Sequence, residues 1–244
     1  MAYYNGKKII NKIIMHVDDI DGVEVDNKTI YIEGMNTSND YSNVVVDGDI
    51  PNIYINANDA TVDFSNATGE ITIIDKESKA HYYTGYPCGV DALLEGTLTE
   101  VTTYATTIRG YAFYQSKQLV TVNMPNIKRI NSSAFLECSA LETVNAPILE
   151  EVWTNAFNNC KALKQIGSPT LKQISSNAFN TCTALTDIYS GYDGLITLQN
   201  KSAFDNTNHV NIHVKPAYVE AYKTAANWCY LYDEGKVTFI GDYE

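Results

Sequence analysis

The sequence predicts a β-rich solenoid, built of short strands with helical or 3-10 turns, preceded by a small all-β N-terminal domain and closed by a C-terminal α/β cap. Two observations lead to this fold class. Several residue columns recur at a fixed spacing in the second half of the chain, which is the signature of stacked structural repeats. The 244-residue chain is also rich in Tyr, Thr, Val, Ile, Asn, Asp and Gly, the residue types that strands and tight turns favour.

An Ala-Phe pair marks the repeat most clearly. It recurs in a constant 22-residue register and once more at a slightly wider spacing, at Ala112-Phe113, Ala134-Phe135, Ala156-Phe157, Ala178-Phe179 and Ala203-Phe204. Three other apolar columns keep the same register: Ile108, Ile130, Val152 and Ile174; Leu119, Leu141, Leu163 and Leu185; and Val122, Val144, Ile166 and Ile188. A unit this short cannot bury its apolar side chains alone, so neighbouring units must stack to form one continuous core.

Each unit, within residues 107–208, is predicted to contain two straight segments and a tight turn. Residues 121–124 form a strand that Pro125 ends, because proline cannot donate to a central ladder. Residues 127–130 then run along a second side of the coil. Ala112-Phe113 and its equivalents lie in the turn, where the small Ala lets coils approach closely and Phe fills the interior.

Residues 1–80 lack the repeat and are predicted to form a separate β domain. A hairpin is expected where residues 23–25 and 30–32 flank Asp26-Asn27-Lys28. Further strands are expected at residues 44–46, 53–55, 61–64 and 71–74, with turns at 47–48, 58–59 and 67–69. Residues 81–106 are predicted to link this domain to the repeats and to shield the open end of the solenoid.

Residues 209–244 are predicted to form the C-terminal cap. Residues 209–214 alternate polar and apolar side chains and indicate a strand. Pro216 suits the first turn of a helix, and Asn227 can end that helix. Residues 237–240 are expected to form a closing strand.

The repeat resembles a known family. Ile130 through Pro147 reads Ile-x-x-x-Ala-Phe-x-x-Cys-x-x-Leu-x-x-Val-x-x-Pro, which is similar to the BspA-like, Treponema-type leucine-rich repeat over about residues 98–214. The resemblance implies a right-handed leucine-rich-repeat solenoid and a noncatalytic binding role, since described members are mainly surface adhesins. The unit here is one residue shorter than the common 23, Ser116 replaces the Cys of the first copy, and the copy at Phe204 is degenerate.

Two short segments resemble proteins of phages and prophages. Residues 1–9 are similar to the start of tail-associated proteins, and residues 214–228 are similar to a terminal segment attached to such repeats in proteins of Firmicutes and their phages. These resemblances imply that phage tail or baseplate components are candidate partners.

Charge and hydropathy exclude several partners. Seventeen basic against 29 acidic residues give a formal charge of -12, the wrong sign for neutralising phosphates, so no nucleic acid is expected. No apolar run approaches the roughly 18–20 residues of a membrane span, so no membrane insertion is expected. The basic start is followed by an apolar stretch broken by Asn11, Lys12 and His16, which predicts no classical signal peptide. A virion or prophage location is favoured, with the cell surface as the alternative.

Candidate metal ligands and catalytic groups are few. Cys138, Cys160 and Cys182 occupy equivalent positions in three successive repeats, which suggests either a metal site or a ladder of buried thiols. We predict the ladder, because Cys packs as a small apolar residue and no Cys pair has the spacing of a structural zinc site. His209 and His213 would lie about 13 Å apart on a strand. No common catalytic or phosphate-binding motif occurs, so we expect no metal, no cofactor and no enzymatic activity.

The outer surface of the solenoid remains as the candidate binding surface. Because side chains alternate along a strand, inward-facing Val122 and Val144 would leave their neighbours exposed. Aromatic residues provide large contact area at low entropic cost. The candidate surface comprises Thr121, Asn123, Thr143, Asn145, Trp153, Gln165, Asp187 and Tyr189. Lys128, Glu150 and Lys172 are expected to form a separate ladder of opposite charges.

The sequence therefore predicts a noncatalytic binding or adhesion protein that recognises a protein or a glycan through its repeats and is associated with a phage or prophage tail. One alternative is a bacterial cell-surface adhesin. Another is an enzyme whose active site lies in the first 97 residues, with the repeats serving only to target it.

Overall fold

The computed structural model describes residues 97–103, 106–108 and 110–243, and seven strands that precede them. Those strands are β1 (Ala2–Tyr4), β2 (Lys7–Ile9), β3 (Thr29–Glu33), β4 (Asn43–Gly48), β5 (Asn52–Asn56), β6 (Thr61–Asp75) and β7 (His81–Tyr83). The strands predicted at 30–32, 44–46 and 53–55 are confirmed. The first strand and the turn of the predicted hairpin, at 23–28, lie outside the described residues, as do the predicted turn at 58–59 and Cys88.

The strands from β3 to β7 continue the parallel stacking of the repeats, whereas β1 pairs antiparallel with β2 and β4. The first half of β6 pairs in parallel with β4 and β7. The second half of β6 pairs in parallel with β5 and with β8 (Thr97–Thr103). Strand β8 in turn pairs in parallel with β10 (Thr121–Asn123), which belongs to the repeats. The domain boundaries at 80 and 106 stay predictions.

Two of the turns predicted in this region are wrong. Residues 47–48 end β4, where they still pair with β6, and residues 67–69 continue β6. The register of β6 against β8 shifts between Gly69 and Glu70, as a β-bulge requires. The residues that favour a turn therefore mark an irregularity within a continuous strand.

Each repeat coil contributes one strand to each of two faces. The front face consists of β10 (Thr121–Asn123), β12 (Thr143–Asn145), β14 (Gln165–Ser168), β16 (Asp187–Ser190) and β18 (Val210–His213). The side face consists of β9 (Thr107–Ile108), β11 (Arg129–Ile130), β13 (Glu151–Val152), β15 (Gln173–Ile174) and β17 (Thr197–Leu198). Paired strands within each face are parallel, with equivalent residues opposite one another, for example Val122 opposite Val144 and Ile130 opposite Val152.

A column of stacked phenylalanines forms the centre of the core. The rings of Phe113, Phe135, Phe157 and Phe179 are fully buried and follow one another at centroid distances of 4.9, 5.2 and 5.7 Å, with 2° between planes. Phe204 continues the column at 5.9 Å. The predicted alignment of the Ala-Phe pairs is therefore confirmed.

The turns that carry the Ala-Phe pairs also join one coil to the next. The backbone N–H of Phe135 donates to the carbonyl of Ala156, and that of Glu137 donates to Asn158, each at 2.8 Å. Two residues in each of the four regular turns have positive φ, such as Asn155 at 57° and Asn159 at 67°, and the turn at Phe204 has one, Asn206 at 58°. Asn tolerates this left-handed conformation better than most residues, which explains why these turns are rich in Asn.

The C-terminal segment packs against the last coil. It contains a 3-10 turn (Pro216–Tyr218), helix α1 (Val219–Tyr222), helix α2 (Trp228–Asp233) and β19 (Val237–Ile240), which pairs in parallel with β18. The strands predicted at 209–214 and 237–240 are confirmed. The predicted single helix is wrong in its extent, because Asn227 has a φ of 64° and α2 follows it. The ring of Trp228 lies 5.8 Å from that of Phe204.

Replacing one interior ring tests the stacked core. Phe157→Ala removes a fully buried ring that stacks on both neighbours, so we expect a loss of about 3–5 kcal/mol in the free energy of unfolding. Urea denaturation followed by circular dichroism measures this loss. The exposed Lys161→Ala in the adjacent turn should change stability by no more than about 0.5 kcal/mol. Equal effects of the two substitutions would contradict a shared phenylalanine core.

Candidate binding surface

The front face presents two outward columns of side chains. In each strand the central apolar residue points inward, and the residues on either side of it point outward, as the burial of Ile188 between half-buried Asp187 and Tyr189 shows. The first column is Thr121, Thr143, Gln165, Asp187 and Asn211, and the second is Asn123, Asn145, Gly167, Tyr189 and His213. Seven of the eight predicted surface residues lie in these columns.

Side-chain amides form a ladder at the N-terminal end of the second column. Asn145 donates from Nδ2 to Oδ1 of Asn123 at 2.6 Å, and Asn123 donates to Oε1 of Glu100 at 2.6 Å. The ladder fixes the orientation of both amides. The Oδ1 of Asn145 and the side chain of Gln165 have no hydrogen-bond partner within the described part of the chain, so they can bond to a ligand.

An aromatic and acidic cluster occupies the C-terminal end of the same columns. The rings of Tyr189 and His213 stack at a centroid distance of 4.3 Å. Nε2 of His213 lies 3.0 Å from a carboxylate oxygen of Asp187, and Nδ1 lies 2.9 Å from Asp242. Asn211 also donates to Asp187, at 3.0 Å. Each ring nitrogen of His213 faces a hydrogen-bond acceptor, and both nitrogens can donate only when the ring is an imidazolium. The geometry therefore favours the charged form of His213.

The pKa values in this cluster favour a charged His213. Burial opposes the charge, but the hydrogen bonds to Asp187 and Asp242 outweigh it and raise the pKa of His213 above 6.5. Burial also opposes charge on Asp187, yet the hydrogen bonds that it accepts hold its pKa below the usual range. Burial, together with the nearby charges of both carboxylates, raises the pKa of Tyr189, so its phenol is neutral at physiological pH.

Trp153 lies apart from the other predicted surface residues. It follows β13 on the side face, where its indole N–H donates to Oε2 of Glu151 at 2.9 Å. The guanidinium of Arg129 lies 4.9 Å from the centre of its ring and also bonds to Glu151. The eight predicted residues are therefore divided between two faces, with Trp153 alone on the second.

The predicted charge ladder is confirmed on the surface. The carboxylate of Glu150 lies between Lys128, at 3.5 Å, and Lys172. The hydrogen bond from Lys172 is the main reason that the pKa of Glu150 is lowered. Exposed ion pairs of this kind each contribute little to stability. Because their charges are already paired with each other, these side chains have fewer free bonding groups for a ligand than the front face has.

The repeat cysteines form the predicted ladder of buried thiols. Cys138, Cys160 and Cys182 each donate from Sγ to a Phe carbonyl of the preceding coil, at 2.8–3.0 Å. Burial raises the pKa of Cys182 to about 12, which keeps it a neutral thiol. Within the described residues no group of three or more His, Cys, Asp or Glu side chains can hold a metal ion.

The comparisons with known proteins identify the repeat. The sequence profile of the BspA type leucine-rich repeat region matches residues 106–231 in six copies. The chain belongs to this family. The matched region begins at residue 106, later than the 98 expected from the resemblance, and it extends past residue 214 into the helices of the C-terminal segment. In the described residues, no helix has the length and apolar character needed to span a membrane.

A solved structure supports the same fold. This BspA-type repeat protein is similar to a leucine-rich repeat protein from Bacteroides ovatus, with 19% sequence identity and a TM-score of 0.53. The match covers 87% of this chain and 53% of the other, so the chain spans about half the length of that structure. No curated protein matches the chain.

The front face of this BspA-type protein includes residues that the sequence analysis did not assign to the binding surface. Asn211 and His213 belong to the same columns as Asp187 and Tyr189, but the spacing between these two strands is wider than the regular repeat, so the repeat spacing alone misses them. Asp242 is 29 residues from His213 along the chain, and no sequence signal joins the two.

The charged cluster makes stability depend on pH. Because the pKa of His213 is higher in the folded state, its stabilising contribution is full below about pH 6.5 and is lost as the pH rises through the folded-state pKa. Asp187 has a lowered pKa, so its contribution is lost only as the pH falls below about 3.9. We therefore expect His213→Gln to destabilise the protein most between about pH 4 and 6.5, and progressively less above that range.

Urea denaturation from pH 4 to 9 measures this difference, and NMR titration of the imidazole reports the pKa directly. His209→Gln is the matched control, because His209 contacts Gly235 and Thr238, neither of which is charged. A destabilisation by His213→Gln that is constant across the pH range would contradict the cluster as described.

Proposed function

We propose that the protein is a noncatalytic binding or adhesion protein whose front face recognises a protein or a glycan. The observation that carries this proposal is the pair of outward columns on the front face, which presents amide, carboxylate and aromatic side chains in register. Several of these groups have bonding capacity to spare, such as Gln165 and the Oδ1 of Asn145.

The rigidity of the face favours binding. The strands that carry both columns are anchored by buried residues such as Val122 and Ile188, which have no exposed surface. Hydrogen bonds within the columns orient Asn123, Asn145 and Asp187 before a ligand arrives. A preorganised surface loses less conformational entropy on association, so modest contacts repeated along the face can yield specific binding.

The proposal extends to a role at a phage or prophage tail. Residues 1–80 would dock to tail or baseplate components and the repeats would face the partner. The resemblance of residues 1–9 to the start of tail-associated proteins supports this placement, and so does the resemblance of residues 214–228 to a terminal segment of repeat proteins from Firmicutes and their phages. Genes for tail and baseplate proteins next to the gene of this protein would further support the role at a tail. Genes for a secretion or sorting system at that position would instead favour a cell-surface adhesin.

Binding to arrays of glycans and of surface proteins tests the proposed function. For any partner captured, we expect the variant Thr121→Ala, Asn145→Ala, Tyr189→Ala to bind at least about tenfold more weakly, because it removes contacts from both columns. Trp153→Ala, on the side face, should bind as the unaltered protein does. The opposite pattern, with binding lost only in Trp153→Ala, would place the site on the side face and contradict the proposal.

A further inference from the structure

Side chains of the C-terminal segment close the outer edge of the side face. Strand β17 is the last strand of that face. The backbone N–H of Ile196 donates to the hydroxyl of Tyr222 at 2.7 Å, and the Ile196 carbonyl accepts from the indole N–H of Trp228 at 2.8 Å. The side-chain amide of Asn227 donates to the Leu198 carbonyl at 2.7 Å. These side chains take the place that a further strand would occupy.

The outer edge of the front face has no such cover among the described residues. Strand β19 is the last strand of its sheet and pairs only with β18. The Ile240 carbonyl points toward β18 and accepts from the N–H of Val214 at 2.9 Å. Because the backbone groups of successive residues point to opposite sides of a strand, those of Phe239 and Gly241 point away from β18. No hydrogen bond to these groups forms within the described part of the chain.

The free edge of β19 also lacks the residues that prevent strand pairing. Residues 237–241 read Val-Thr-Phe-Ile-Gly, with no charged residue and no proline. Proteins commonly protect free edges with such residues, and an edge without them is a template for another strand. Val237 is 2% exposed, whereas Phe239 is 7% exposed and Gly241 is exposed. The accessible part of the edge is therefore its C-terminal end.

A second copy of the same strand matches this part of the edge. If two copies of β19 run antiparallel about a two-fold axis at Ile240, Phe239 of one copy lies opposite Gly241 of the other. Residues opposite each other in this way exchange both N–H···O bonds, and the axis generates a second such pair. The half-buried side chain of Ile240 then contacts its own counterpart, as a non-hydrogen-bonded pair allows.

Charges at the two ends of β19 complement each other in this arrangement. Asp242 of one copy lies opposite Thr238 of the other and diagonal to Lys236, and diagonal neighbours are within reach of a long side chain. The side chain of Asp242 is 54% exposed although it bonds to His213. Lys236 forms no ion pair within the described residues, and its Nζ contacts the Thr207 carbonyl at 3.5 Å. Each copy thus offers a cation and an anion to the other.

We propose that the free edge of β19 is a dimerisation site, at which β19 of a second copy adds antiparallel and extends the front-face sheet across a two-fold axis. Because the same edge is used by both copies, the association closes at a dimer. An axis perpendicular to the sheet leaves both front faces on the same side. The dimer therefore goes beyond the proposed function of one chain, since two front faces can bind one multivalent surface with avidity.

Sedimentation velocity of the full chain, from about 5 to 500 μM, tests the dimer. The contact is small, so we expect a concentration-dependent dimer with a dissociation constant of about 10–200 μM. A salt concentration of about 0.15 M limits the repulsion between two chains of charge -12, because the Debye length is then about 8 Å. A protein that stays monomeric over the whole range would overturn the proposal. No ligand is present, so that result would leave the proposed function of the front face intact.

A pair of charge variants locates the contact. Ile240→Lys places two like charges next to each other at the axis, so it should raise the dissociation constant of the dimer at least about tenfold. Gln165→Lys makes the same change of charge at an exposed residue of β14 and should leave the dissociation constant unchanged. Equal effects of the two variants would place the contact elsewhere and overturn the proposal.

Cysteine cross-linking tests the register with milder substitutions. The background carries Cys88→Ser and Cys229→Ser, and a mild thiol oxidant is added. Ile240→Cys should form a disulfide between two copies, since the Cβ atoms of directly opposite residues are about 4.5–5.5 Å apart. In Thr238→Cys the two cysteines are offset by about 13 Å along the strands, so no disulfide is expected. Non-reducing electrophoresis detects the covalent dimer, and equal cross-linking of both variants would contradict the two-fold axis at Ile240.

Discussion

The structure depends on the in-register stacking of one ring from each coil. Phe113, Phe135, Phe157 and Phe179 can overlap with only 2° between their planes because each coil, being of equal length, returns the chain to the same place in the stack. The inter-coil hydrogen bonds of the turns and the thiol-to-carbonyl bonds of the repeat cysteines repeat with the same geometry. A coil of different length would move its ring off the axis and leave both its own apolar residues and those of its neighbours without partners.

Stacking also separates the residues that hold the fold from those that are free to bind. The interior columns are fixed by packing, while the outward columns of the front face vary from Thr and Asn to Gly, Tyr and His. Where the outward column loses its side chain at Gly167, the strand pairing is interrupted as well.

Much of the solenoid was predictable because each coil supplies independent evidence for the same pattern. The phenylalanine core, the buried thiols, the repeat strands and the charge ladder at Glu150 all follow from columns in the sequence. The N-terminal region has no repeat, so its strands were located from composition, but the continuous β6 was divided by a turn at 67–69 that does not exist. The helix after Pro216 was predicted as one because apolar spacing does not reveal that Asn227 has a left-handed backbone. The Asp187–His213–Asp242 cluster arises from tertiary contacts outside the repeat register, and sequence spacing cannot show it.

Excision of one coil tests the stacking most directly. Deleting residues 139–160 joins Cys138 to Lys161 and removes one whole repeat unit, whereas deleting residues 139–149 removes half a unit and puts the following coils out of phase. The account predicts that the whole-unit deletion yields a folded protein with a cooperative urea transition and a circular dichroism spectrum of native type, while the half-unit deletion yields an unfolded or aggregated chain. Equal behaviour of the two deletions would contradict a core that depends on register.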